Sequence, residues 1–111
     1  QKIIGIARTK RMVMLAKRIS GEQALDWGIA IECVEDDELG NAVDALVAEL
    51  RDFSPLAQRT AKKLINDNED APLAVAIEME GHCYSRLRSS NDFREGVEAF
   101  HGKRKAVFNG S

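Results

Sequence analysis

The densest group of side chains able to do chemistry is one short stretch, Glu95-Gly96-Val97-Glu98-Ala99-Phe100-His101-Gly102-Lys103-Arg104-Lys105, with Phe108 just beyond it. An aromatic ring one helical turn ahead of a triple cation can stack a flat heterocycle and hold a phosphate. That pairing suits a ligand that carries a nucleotide. A plainer arrangement of the same residues makes Phe100 a core side chain and Lys103 to Lys105 a solvated helix end favoured by the helix dipole. Other candidates are weaker. Cys83 follows His82, but a metal site needs three or four converging ligands and only His101 and Cys33 remain to help, so no metal is expected. Glu78 and Glu80 flank Met79 and cannot share a helical face at a separation of two, which argues against a paired-carboxylate mechanism. Glu95 and Asp92 read as acids of the first turn of the last helix, placed there by the dipole rather than by catalysis.

The elements that must position these residues are helical almost throughout. Met12, Leu15, Ala16 and Ile19 recur at helical spacing after a basic start, which predicts an amphipathic helix ending near Ser20. Ser20 with Gln23 three residues later forms a capping box for a second, shorter helix, and Gly28 supplies its stop. Ile29-Ala30-Ile31 with Val34 reads as a brief extended segment, too little for a sheet. The acidic run Glu35 to Glu38 precedes Leu39, Val43, Leu46, Val47 and Leu50, a helix with one apolar stripe. Ser54-Pro55 caps and starts the next helix, through Leu56, Thr60, Leu64 and Ile65. After the polar loop Asn66 to Asp70, Asp70 and Pro72 open a long helix, and Ser90-Asn91-Asp92 opens the last.

A chain of 111 residues can bury one modest core, so a single domain or part of one is expected. Apolar residues at 44%, charged residues at 31% and a net charge of -2 describe an ordinary globular chain with no general attraction to polyanions, so nucleic acid is not an expected partner. Charge is nevertheless segregated: Lys2, Arg8, Lys10, Arg11, Lys17 and Arg18 come before any acid, and the acids then cluster from Glu32 to Glu38. No signal-like or bilayer-length apolar run is present, so no membrane is expected, and the two distant cysteines read as reduced thiols of a cytoplasmic protein. The chain starts abruptly on a basic helix and reads as the second half of something larger.

Four blocks, in order and spacing, resemble the C-terminal region of the enoyl-CoA hydratase/isomerase (crotonase) family. They are Ile4-Gly5-Ile6-Ala7-Arg8-Thr9-Lys10-Arg11-Met12; Ile19-Ser20-Gly21-Glu22-Gln23-Ala24 with Gly28-Ile29-Ala30 and Val34; Phe53-Ser54-Pro55-Leu56-Ala57 with Lys62 and Asn66; and Ser90-Asn91-Asp92-Phe93-Arg94-Glu95-Gly96 running into Ala99-Phe100, Lys103-Arg104-Lys105 and Phe108. The resemblance implies a mainly α fold class for this chain, the helical trimerisation and CoA-contacting region over residues 1–111 of a ClpP/crotonase-like α/β spiral fold, with the β-β-α spiral core missing from it. Family members are roughly twice this length or more. Their N-terminal half carries two backbone N–H groups that polarise a thioester carbonyl so that an enolate forms, and one or two carboxylates that move protons beside it. The resemblance therefore places no catalytic residue in this chain.

It does imply a role for Phe100 and Lys103: the matching aromatic and lysine reach the adenine and phosphate end of CoA bound to a neighbouring subunit, and an i, i+3 separation would set both on one helical face. No cofactor is implied, CoA being part of the acyl-CoA substrate, and the expected partner is a second copy of the chain, as a trimer or dimer of trimers. Arg104 reads as an inter-helix or subunit ion-pair partner and Phe108 as packing. Tyr84 reads as core rather than as lining of an acyl pocket. Its naphthoate synthase branch places a tyrosine just before the last helix, where this chain has Arg88. Hydratase chemistry is the default within the family. A second function class stays open, a stand-alone helical module that pairs with another helix through Met12, Val13 and Leu15. The length of the parent reading frame separates the two.

Overall fold

The computed structural model describes residues 1–111 as six α-helices with no strand: α1 (Gly5–Met14), α2 (Gly21–Asp26), α3 (Leu39–Arg51), α4 (Pro55–Asp67), α5 (Leu73–Arg88) and α6 (Asn91–His101). They form two units, residues 1–43 and 44–111, with α3 beginning in the first and continuing in the second. No helix is long and apolar enough to cross a membrane.

In the first unit the serine cap of α2 forms as its sequence predicts. Ser20 Oγ accepts the Gln23 N–H at 3.1 Å and Gln23 Oε1 accepts the Ser20 N–H at 3.2 Å. Gly28, at φ 72, closes the helix: its N–H donates to the Leu25 carbonyl and that of Ile29 to the Ala24 carbonyl. The first helix is shorter than its apolar spacing predicts and stops at Met14, not near Ser20. Its end is the same backbone motif, with Ala16 in the left-handed region at φ 47, its N–H on the Val13 carbonyl and the Lys17 N–H on that of Met12. The predicted extended segment at Ile29 to Val34 forms no strand. Its first two N–H groups, of Ile29 and Ala30, are both taken by the Ala24 carbonyl, and no second strand exists to pair with it. Arg8 of α1 lies over the Trp27 ring, 4.9 Å from its centre. Gly21 opens α2 so close to the returning chain that a Cβ there would meet Cys33 Sγ at 2.7 Å.

In the second unit α5 packs against α4 and α6. Ser54 caps α4 as predicted, accepting the Ala57 N–H at 3.1 Å with Pro55 at the first helical position. Gln58 Nε2 donates to the Leu50 carbonyl at 2.6 Å and so fastens α4 to the end of α3. α5 opens at Leu73 directly behind Pro72, where the sequence placed its start, and has no side-chain cap. Ser90 caps α6 by accepting the Phe93 N–H at 3.0 Å. The expected modest core is nearly absent: Ala99, 2% exposed, is the one buried apolar residue, while helix stripes such as Leu46, Leu50 and Val97 stay over 40% exposed. Apolar exposure on that scale goes beyond the scattered surface residues of an ordinary globular domain.

Candidate functional site

The site is built on α6 and the segment that follows it. Phe100 lies on the last turn of α6 and is 81% exposed on these helices. The His101 ring meets it edge-on, with ring centres 5.7 Å apart and planes at 75°. The helix then ends at His101, so Lys103 does not share a helical face with Phe100 as the i, i+3 spacing suggested. Instead Lys103 occupies the left-handed position of the terminating motif at φ 50. Its N–H donates to the Phe100 carbonyl at 3.3 Å and the Arg104 N–H to that of Ala99 at 3.1 Å. Phe100 and Lys103 are thus linked through the backbone, on either side of the helix end.

The three cations of the motif are not equivalent. Arg104 makes a two-pronged pair with Glu95, Nη1 to Oε1 at 2.5 Å and Nη2 to Oε2 at 2.8 Å, and Lys105 Nζ lies 2.6 Å from Asp52 Oδ1. Arg104 therefore pairs within its own unit, with an acid of α6. Lys103 makes no ion pair. Glu95 sits in the second turn of α6, not the first, and Val107 N–H also donates to its Oε1 at 2.8 Å. The Arg104 guanidinium and the Val107 N–H outweigh the effect of its partial burial and hold its carboxyl down to about 2. Such a group stays ionised at neutral pH and cannot serve as a general acid there.

Asp92 is the residue whose importance the sequence did not disclose. It is a first-turn acid, as read, but only 4% exposed. Ser54 Oγ donates to its Oδ2 at 2.5 Å, and the N–H groups of Asn109 and Gly110 donate to Oδ1 at 2.9 and 3.1 Å. Burial by itself favours the neutral acid, yet the Ser54 hydroxyl, the two backbone donors and the Arg59 charge together hold its carboxyl below the ordinary range. Asp92 thereby ties the cap of α4 and the last residues of the chain to the start of α6. Its partners lie 38 and 17 residues away, and no local pattern announces pairings of that range. Phe108 packs as expected, over Gly96, where an added Cβ would sit 3.7 Å from its ring.

Phe53, Tyr84, Leu87, Phe93, Val97, Phe100 and Phe108, with Ser54, Ser90, Asp92 and His101, line an apolar cavity of about 530 Å³ in this unit. Tyr84, read as core, is 56% exposed on these helices and borders the cavity. In the first unit Glu22, Asp26, Glu32, Glu35 and Glu38 line an acidic cavity. No three His, Cys, Asp or Glu side chains are grouped to hold a metal ion, and both cysteines are free thiols.

The helical architecture and the α6 motif coincide with one family. The model of the enoyl-CoA hydratase/isomerase family matches residues 1–111, and the chain belongs to that family. Among similar proteins, the 1,2-epoxyphenylacetyl-CoA isomerase of Escherichia coli is 33% identical over 110 residues, covering 98% of this chain and 42% of that protein. The trans-2-decenoyl-[acyl-carrier-protein] isomerase of Streptococcus mutans is 28% identical over 109 residues, covering 98% and 41%. The crystal structure of an enoyl-CoA hydratase from Bacillus anthracis superposes with a TM-score of 0.93 at 26% identity, covering 99% of this chain and 43% of that one. The chain thus spans about two fifths of the length of the relatives it matches. The predicted mainly α fold class holds, since the helices match crotonase-fold enzymes without any strand of their own.

Proposed function

We propose that these 111 residues are the C-terminal helical part of an enoyl-CoA hydratase/isomerase whose chemistry, on an acyl-CoA thioester, proceeds through an oxyanion-stabilised enolate. In this reading residues 1–111 act as one functional region, supply contacts between copies in a trimer or dimer of trimers, and hold the nucleotide end of CoA. The catalytic groups lie outside it and the helices alone are inactive. Hydration is the reaction assigned, CoA enters only as part of the substrate, and reduced thiols fit a cytoplasmic setting.

One observation carries the reading: an aromatic ring left 81% exposed, Phe100, is joined across the end of α6 by a backbone hydrogen bond to Lys103, the member of the cation trio that makes no ion pair. A ring for a base and an unspent charge for a phosphate are what a nucleotide requires. The relatives' names include both CoA and acyl-carrier-protein substrates. A protein-borne pantetheine brings no nucleoside, so this pair favours free CoA as the carrier. Apolar stripes such as Val13, 73% exposed, and Leu50, 48% exposed, support subunit contacts. The stand-alone module gains nothing from the same exposure, which subunit contacts explain equally.

The test is crotonyl-CoA hydration by the full-length protein with Phe100→Ala and Lys103→Ala. Each change should raise KM roughly tenfold while kcat changes much less, since a remote binding contact is lost rather than one made only in the transition state. An unaltered KM in both variants would count against the nucleotide role.

A further inference from the structure

The inference rests on the reading that Lys103 meets the nucleotide of the carrier, and it concerns what aims that lysine. A lysine takes the left-handed backbone region only where its surroundings over-determine it. Here the constraint comes from both sides of Lys103, at φ 50. Behind it, the Phe100 and Ala99 carbonyls take the N–H groups of Lys103 and Arg104. Ahead of it, Glu95 grips the chain at two points, the Arg104 guanidinium through both carboxylate oxygens and the Val107 N–H through one. Lys103 is the residue between the helix end and this clamp.

We infer that Glu95 is a positioning residue: by clamping Arg104 and Val107 it fixes the direction in which Lys103 leaves the end of α6 beside Phe100, and so sets the affinity for a nucleotide-bearing carrier. The clamp does a second thing. It neutralises Arg104, as Asp52 neutralises Lys105, so that one cation of three remains for the ligand. Removing Glu95 alone would both loosen Lys103 and free Arg104 to attract phosphate, two opposed effects. The informative variant removes the pair together.

Glu95→Gln with Arg104→Gln leaves the net charge unchanged. In the full-length protein, calorimetric Kd is measured for coenzyme A and for 4′-phosphopantetheine, the same carrier without its 3′-phosphorylated adenosine nucleotide. The double variant should weaken coenzyme A about fivefold or more and leave 4′-phosphopantetheine within about twofold. Lys103→Ala added to it should then cost little more, because an unaimed lysine has little left to lose. Arg104→Lys, which keeps the charge and loses the fork, gives an intermediate effect and serves if the double variant does not fold, as thermal denaturation will tell. Equal weakening of both ligands, or wild-type affinity of the clamp variant where Lys103→Ala alone weakens coenzyme A, overturns the role of Glu95 and leaves the nucleotide reading standing. No effect of Lys103→Ala by itself overturns both.

Discussion

Helices α2 and α6 open on the same local pattern, a serine cap, one intervening residue and an acid at the second helical position: Ser20-Gly21-Glu22 and Ser90-Asn91-Asp92. Each serine oxygen accepts the N–H of the third helical residue. The helix dipole favours both acids by the same modest amount, about 0.3–1 kcal/mol at an exposed position. Their fates differ completely. Glu22 stays exposed on the wall of an acidic cavity, while Asp92 is buried under a serine hydroxyl and two backbone donors from the chain end. Local chemistry thus makes a helix start, and it takes donors delivered from far along the chain to turn its acid into a structural centre.

The sharpest way to break this comparison is to delete both acids. Asp92→Ala strands the Ser54 hydroxyl and the Asn109 and Gly110 amides, so exchange of those two amides should accelerate on the order of tenfold to a hundredfold and the melting temperature fall by several degrees. Glu22→Ala should move the melting temperature by no more than about a degree or two. Comparable losses from the two changes would show that the buried network contributes nothing beyond the dipole.

Acid should loosen the second unit in the same sense. Glu95 is held down to about 2 from an ordinary 4.5, and Asp92 also lies below its ordinary value. The unfolded chain therefore takes up protons first, so the stabilisation is fully present above about 4.5 and is lost as the pH falls from there toward 2. Denaturation followed between those limits should show a slope that Glu95→Gln flattens. An unchanged slope would remove Glu95 from the account.

The smallest expected effects compare three helix ends that share one backbone motif but place different residues in its left-handed position: Ala16, Gly28 and Lys103. Gly28→Ala should destabilise by about 1 kcal/mol, whereas Ala16→Gly and Lys103→Gly should each stabilise by about 0.5–1 kcal/mol in thermal denaturation. Lys103→Gly would do so while weakening the carrier, which separates stability from function at that position.

Much of the fold is legible along the chain because caps and stripes act over three or four residues. Ser20 with Gln23, Ser54 with Pro55, Ser90 and Gly28 all stand where their types require. Two of the failures have a common cause. The periodicity of Leu15 and Ile19 predicts a longer α1, but Ala16 turns left-handed and ends it; the i, i+3 spacing of Phe100 and Lys103 predicts one helical face, but Lys103 does the same at the end of α6. Apolar spacing cannot report a backbone reversal made by residues that are not glycine.

By itself, then, the order of residues determined the helical class, the helix starts, the family resemblance and the pairing of one ring with a basic cluster, since each depends on neighbours within a turn or on a linear motif. Only the folded chain decided which of the three cations is left unpaired, that Glu95 and not a distant acid takes Arg104, and that Asp92 gathers the chain end to α4. Those outcomes hang on which donors arrive within about 3 Å of a carboxylate, and that distance is set by tertiary packing rather than by any spacing along the sequence.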